Sequence, residues 1–249
     1  MASVIMMLAI GGALSWIGLV NRVAYTINRS WNFRVNRIIT RQYSRRIFSI
    51  LSTYMNFRYA GEPASLAQLP ERYLVVSNHQ SLLDIPLLMC FLGAERLRFI
   101  AKAELGKHVP VVSLVLRSDG HCLVSRTGSP SIIMKTIDRF AERCVSKNWI
   151  PVIFPEGTRS RDGSLGPFHA AGFRRFVDRA PMPVAVVAID GGWRTASLRG
   201  MASRMRGGSY RVKVLKVFPA PEGKADQVRI LEEGRLLIQE QLDKWRSQE

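Results

Sequence analysis

Acidic residues are missing from the N-terminal stretch of this 249-residue chain, where none precedes Glu62. Charge of either sign is missing from residues 1–20, "MASVIMMLAIGGALSWIGLV". Cysteine is scarce: Cys90, Cys122 and Cys144 are widely spaced, with no C-x-x-C and no histidine at ligand spacing. That excludes a disulfide framework and a zinc site, and predicts reduced, buried thiols in a cytoplasm-facing protein. No G-K-[ST] follows a glycine-rich loop, so a nucleotide P-loop is excluded. No G-x-S-x-G occurs, and without that nucleophile elbow a serine hydrolase has no candidate nucleophile. Internal repeats and low-complexity segments are absent as well.

What is abundant is positive charge. Lys and Arg number 36 against 19 Asp and Glu, a net +17, which implies an anionic partner. Hydrophobic residues make up 47% of the chain, so a buried core is affordable and disorder is excluded. As a helix, residues 1–20 would measure about 30 Å, the thickness of a bilayer's hydrocarbon. A cleaved signal would need a basic start, and Met1 to Leu8 has none. Arg22, Arg29, Arg34, Arg37, Arg41, Arg45 and Arg46 follow, a cluster that attracts anionic headgroups and holds its side of the chain in the cytoplasm. "RQYSRRIFSILSTYMNF", residues 41–57, then mixes a basic start with apolar residues, which suits a helix lying in the membrane interface, with a solvated helix packed on its own domain as the alternative. DNA binding would use arginine too, but needs no adjoining uncharged run. We therefore expect a phospholipid membrane as partner rather than nucleic acid, with membrane-anchoring helices over residues 1–60 and a domain over 61–249.

Within that domain short apolar runs alternate with longer mixed segments. Tyr73–Ser77, Leu97–Ala101, His121–Val124, Ile150–Phe154, Val184–Ile189 and Tyr210–Val217 are expected strands, apolar enough to be covered on both faces. Leu82–Leu92, Ser129–Lys147, Gly172–Arg179 and Ala225–Trp245 are expected helices. The second has Ser129 as cap, Pro130 at its first position, and Ile132, Ile133, Ile137, Phe140 and Cys144 on one side. The last is weakened by Gly234. The alternation predicts an α/β domain, a mixed, mostly parallel sheet flanked by helices. "RTASLRGMASRMRGGS" is expected to be a basic loop.

The stretch "VVSNHQSLLDIP" places His79 and Asp84 five positions apart at the end of a strand. Two readings stand. In one, Ser81 or Asp84 simply caps the following helix. In the other, His79 is a general base and Asp84 its orienter. Five residues on a straight helix would separate the two by about 140°, so the pair meets only if His79 lies in the preceding turn. A carboxylate on one ring nitrogen would fix the tautomer and leave the other nitrogen free to take a proton. A second constellation, "FPEGTRSRDG", follows another strand and carries glycine, a hydroxyl and arginines, which suits either an anion or a solvated turn. Lys102 and Arg126 would fall on the same strand-end edge, where ligands of open α/β sheets bind.

Taken together, "NHQSLLD", "CLVSR", "FPEGTRS" and "APMPVAVVAIDG" resemble the four ordered motifs of the lysophosphatidic acid acyltransferase family of glycerolipid acyltransferases, over roughly Val75 to Gly191. The resemblance implies transfer of a fatty acyl group from acyl-CoA or acyl carrier protein to the hydroxyl of a lyso-lipid acceptor. It matches His79 to the base and Asp84 to its charge partner. Arg126, Glu156, Gly157, Thr158 and Arg159 match acceptor-binding residues, with Lys102 an additional phosphate contact, and Pro183 falls in the fourth motif, associated with the donor or with membrane packing. No cofactor and no metal are implied, and the location is the cytoplasmic face of a membrane, a bacterial inner membrane first. Two positions depart from the pattern. Ser125 stands where an acid usually precedes the arginine, and His169, Ala170 and Ala171 replace a common Lys-Lys-Gly. Fewer cations there leave open other acceptors, such as another lysophospholipid, a lyso-aminolipid or glycerol 3-phosphate. A non-catalytic basic lipid-binding module is the alternative of a different class.

Overall fold

Seven strands form one sheet in the computed structural model, which describes residues 12, 16, 19–20, 23, 26, 46, 48–54, 56–104, 116, 119–125, 129–195 and 207–248. The uncharged run, for the most part, Arg126 and the basic loop at 196–206 lie outside them. In chain order the elements are β1 (Arg58–Gly61), a 3-10 turn (Pro63–Gln68), β2 (Leu74–Ser77), α1 (Asp84–Leu92), β3 (Leu97–Lys102) and β4 (Cys122–Val124). There follow α2 (Pro130–Ser146), β5 (Ile150–Ile153), α3 (Ala170–Arg179), β6 (Val184–Asp190), a second 3-10 turn (Gly192–Thr195), β7 (Ser209–Phe218) and α4 (Gly223–Arg246).

The strand order is β1-β7-β6-β2-β5-β3-β4. Five central and outer strands run parallel; β7 pairs antiparallel to β6, and β1 pairs parallel to β7. The sheet is thus mixed and mostly parallel. The carboxyl ends of β2 to β6 and the amino ends of β1 and β7 share one edge.

The strands are buried on both faces because their side chains alternate between two cores. Val75, Val152, Ala185, Val187 and Tyr210 face a layer made of α1 with Phe48, Leu51 and Phe57. Leu74, Val76, Val184, Val186 and Ala188 face α2, α3 and α4, which contribute Phe140, Phe173, Phe176, Ile230 and Ile238. Gly234 does not weaken α4 without return. A Cβ there would come within 3.1 Å of Val186, so the glycine lets the helix lie directly on β6.

Several expectations are corrected. Phe48 and Leu51 are 7% and 0% exposed and, with Phe57, belong to the domain's own core, so these apolar side chains face the sheet rather than a membrane. β1 was not foreseen, because RYAG is too short for an alternating pattern to register. In α2, Pro130 does open the helix, but Ser129 makes no side-chain cap; its hydroxyl meets that of Ser131 at 2.8 Å. Ile132 points outward at 61% exposure. None of the three cysteines is in a disulfide, and Cys90 is half-buried rather than buried.

Candidate active site

β2 ends at Ser77, and the chain then turns through Asn78, His79, Gln80 and Ser81 before α1 begins at Asp84. Asn78 anchors the turn: its amide donates to the Ile189 carbonyl and its oxygen accepts the Ile189 N–H, both at 2.8 Å. It thereby acts as a pseudo-strand residue against β6. Asp84, fully buried, gathers the turn around its carboxylate. Oδ2 accepts from the N–H groups of Gln80 (2.7 Å) and Ser81 (2.9 Å) and from His79 Nδ1 (2.6 Å). An oxygen that already accepts two backbone N–H groups is an acceptor, so the ring proton sits on Nδ1 and Nε2 carries the lone pair.

The cap is not Asp84 itself, but the bonds of a Ser81 capping box are present beside the His79 contact: Asp84 Oδ2 accepts the Ser81 N–H at 2.9 Å and Ser81 Oγ accepts the Leu83 N–H at 3.2 Å. Asp84 is the first residue of the helix and bonds backward into the turn, while Leu83, which occupies the cap position, makes no side-chain cap bond. A carboxylate in the first helical turn also interacts favourably with the helix dipole. Pro86 sits in that first turn, where its missing N–H costs nothing.

The His79 ring stacks on Phe154, with centroids 4.1 Å apart and planes at 13°. Its Nε2 has no partner among the described residues, and the side chain keeps 16% of its surface exposed. The base-and-orienter geometry is therefore complete on one nitrogen and open on the other.

The loop after β5 is tied to the same turn. Ser160 N donates to the His79 carbonyl at 2.8 Å. Glu156 is 6% exposed; Oε1 accepts the His79 N–H at 2.7 Å and Oε2 the Gly166 N–H at 2.9 Å. Burial pushes its carboxyl above the usual carboxylate range, and the two N–H groups pull the other way. The resemblance placed Glu156 among acceptor-binding residues. The structure makes it a brace instead, since both oxygens are turned into the protein. Gly157, Thr158 and Arg159 are exposed on the outer side of this loop, and Lys102 is exposed at the end of β3 on the same edge. Pro183 lies at the opposite edge, where its carbonyl accepts the Leu74 N–H at 2.8 Å, so it shapes the start of β2 and β6 and is remote from His79.

Five supporting residues, Tyr210, Gln80, Asp190, Arg246 and Phe154, were not foreseen. Tyr210, at the start of β7, donates its hydroxyl to Asp84 Oδ1. Gln80 accepts the Gly192 N–H at 3.0 Å and donates to Asp190 Oδ1 at 3.1 Å. Asp190 is held by Arg246 at the end of α4 (2.8 Å), which also donates to the Gly163 carbonyl at 2.7 Å. Phe154, directly before the recognised Pro155-Glu156-Gly157, was available to motif reading. The others join residues too far apart in the chain for any pattern. Among the described residues no group of His, Cys, Asp and Glu is arranged to hold a metal ion.

The comparisons fit this geometry. A human protein described as 1-acyl-sn-glycerol-3-phosphate acyltransferase beta is 40% identical over 114 residues, 46% of this chain and 40% of that protein. A Cocos nucifera 1-acyl-sn-glycerol-3-phosphate acyltransferase is 34% identical over 131 residues, 51% of this chain and 41% of that one. The chain thus spans about two fifths of the length of these curated relatives. The crystal structure of the 1-acyl-sn-glycerophosphate (LPA) acyltransferase, PlsC, from Thermotoga maritima superposes with a TM-score of 0.70 over 98% of this chain and 95% of that one. At 20% identity that likeness speaks for the fold. The model of the family described as Acyltransferase matches residues 63–190, which hold His79, Asp84 and the loop after β5, and the chain belongs to that family.

Proposed function

We propose that this protein transfers a fatty acyl group from a thioester donor, acyl-CoA or acyl carrier protein, to the free hydroxyl of a lysophospholipid, 1-acyl-sn-glycerol 3-phosphate first among them, giving phosphatidic acid. The observation that carries the reading is the His79–Asp84 pair, with Nδ1 held at 2.6 Å and Nε2 open at the sheet's ligand-binding edge. Nε2 takes the acceptor's hydroxyl proton as the oxygen attacks the thioester carbonyl carbon. Asp84 steadies the imidazolium that forms. The tetrahedral intermediate then expels the thiolate, which takes the proton back from His79, leaving an ester and a free thiol. General-base help of this kind contributes about 10²- to 10⁴-fold. Arg159, exposed beside Thr158, is suited to the acceptor's phosphate, since its fork gives bidentate contacts; Arg126 is assigned the same part by the motif alone.

Membrane association at the cytoplasmic face belongs to the proposal. Its support is the +17 charge and an apolar face at helical spacing: Trp16, Leu19 and Val23 are helical and 63%, 56% and 50% exposed. Among the described residues no helix is long and apolar enough to cross a membrane.

The test is purified protein with a panel of lyso-lipids and labelled acyl donors, read by mass spectrometry. The expected product is the diacyl lipid with its phosphate retained, formed by wild type and lost in His79→Ala. Near-normal turnover in His79→Ala, or free fatty acid as the sole product whatever lyso-lipid is supplied, would sink the reading.

A further inference from the structure

Tyr210 lies 126 residues from Asp84 in the chain, yet its ring is fully buried with its hydroxyl on the carboxylate. A carboxyl group's terminal torsion is broad and nearly two-fold, so nothing intrinsic keeps one oxygen turned toward a given donor. Here Oδ2 must face His79 Nδ1 and two backbone N–H groups at once. Among the described residues Tyr210 is the partner that holds Oδ1. Its ring is clamped edge-on by Phe57 and Phe48, at centroid distances of 5.9 and 6.0 Å. The approach depends on Gly192, where a Cβ would lie 2.2 Å from the Tyr210 oxygen and 2.9 Å from Asp84 Oδ1.

We infer that Tyr210 is a positioning residue for the catalytic pair: by donating to Asp84 Oδ1, its hydroxyl orients the carboxylate and limits how strongly the carboxylate holds the His79 Nδ1 proton. This rests on the reading of His79 as the base. Burial first, and the Asp84 charge next, push the phenol well above its ordinary range, so it stays a donor. Removing the hydroxyl leaves the Asp84 charge less dispersed and its attraction for the imidazolium stronger. His79 then stays protonated, and unable to act as base, to a higher pH. The other charged or titratable groups facing this cluster are Glu156 from the loop after β5, Asp190 at the end of β6 and Arg246 from α4. Among the described residues Oδ1 accepts from Tyr210 alone; the same hydroxyl also meets that of Ser81, which keeps Thr195 Oγ1 and the Leu83 N–H as partners, so Tyr210→Phe frees Oδ1 and removes one Ser81 contact.

The experiment uses the full-length protein. In Tyr210→Phe the acid limb of the kcat/KM profile should move up by about half a pH unit or more. KM for donor and acceptor should stay within about twofold, so the loss falls on kcat. The imidazole titration of His79, followed by nitrogen-edited NMR and assigned against His79→Gln, should move the same way without any turnover. Phe57→Leu, which loosens the clamp but keeps the hydroxyl, should give a smaller shift of the same sign and serves if Tyr210→Phe does not fold. A fall in Tm with the pH profile and the imidazole titration both unmoved would overturn the inference, because packing alone would then explain Tyr210. Activity surviving in His79→Ala removes the base reading, whereas the NMR titration still decides whether Tyr210 governs the pair.

Discussion

Asp84→Asn separates the charge of the orienting carboxylate from its shape. Asparagine has nearly the same volume, and its oxygen can still accept the His79 Nδ1–H. Its amide nitrogen can point at the Tyr210 oxygen, the arrangement that costs the backbone least. What disappears is the negative charge opposite the imidazolium formed as the acceptor loses its proton. With charge centres roughly 4 Å apart and an effective dielectric near 20, that attraction is about 4 kcal/mol. If it is felt mainly in the transition state, the loss corresponds to roughly 10³-fold in kcat. Stability falls too, by about 1–3 kcal/mol, because Asp84 is fully buried and its two oxygens accept from His79, Gln80, Ser81 and Tyr210. The assay is kcat at saturating acceptor and donor, with a thermal melt of the same preparation. His79→Ala and the double variant complete the set: two residues acting as one unit should lose little more together than His79 loses alone. A folded Asp84→Asn protein within tenfold of wild type would refute the reasoning, since the carboxylate would then be no more than part of the turn.

Glu156→Gln should lower kcat and destabilise by about 1–3 kcal/mol, because one amide oxygen cannot accept both the His79 and the Gly166 N–H and a donor is left facing a donor; unchanged kcat and melting would mean the brace is dispensable. Arg159→Ala is expected to raise the acceptor KM more than the donor KM, and Arg159→Lys to restore it incompletely because the bidentate fork is lost; equal effects on both substrates would assign Arg159 elsewhere. His121 is buried, and burial followed by the Arg98 charge lowers its pKa to about 3 from an ordinary 6.5. The unfolded chain therefore binds more protons than the folded one between those values, so stability is complete above pH 6.5 and is lost as pH falls. The loss between pH 6.5 and 5 is roughly 1.5 kcal/mol. His121→Asn should flatten that limb in denaturant melts at graded pH, and an unchanged slope would show that other groups set it.

The part of this protein that is local in the chain was legible in its sequence. Continuous apolar runs such as Val184–Ile189 announce strands covered on both sides, and Pro130 ahead of a periodic segment announces α2. The motifs around His79 and Pro155 pointed to the chemistry, because a base and its orienter five residues apart need only a turn between them. Element ends moved by a residue or two, as at Cys122 and Ala170, where chain ends fray into loops.

Tertiary structure decided what joins distant segments. Periodicity cannot reveal that β7 runs against β6, yet that reversal delivers Tyr210 to the edge that carries His79 and Asp84. Nor does it show that Glu156 turns inward to a backbone N–H 77 residues away, because exposed and buried carboxylates are the same letter in a sequence. The face that Phe48 and Leu51 present was equally hidden, since an apolar stripe suits a membrane or a protein core alike. Burial and partner are properties of the assembled fold: a side chain's solvation, and with it its charge state and its role, depends on neighbours that only folding brings near.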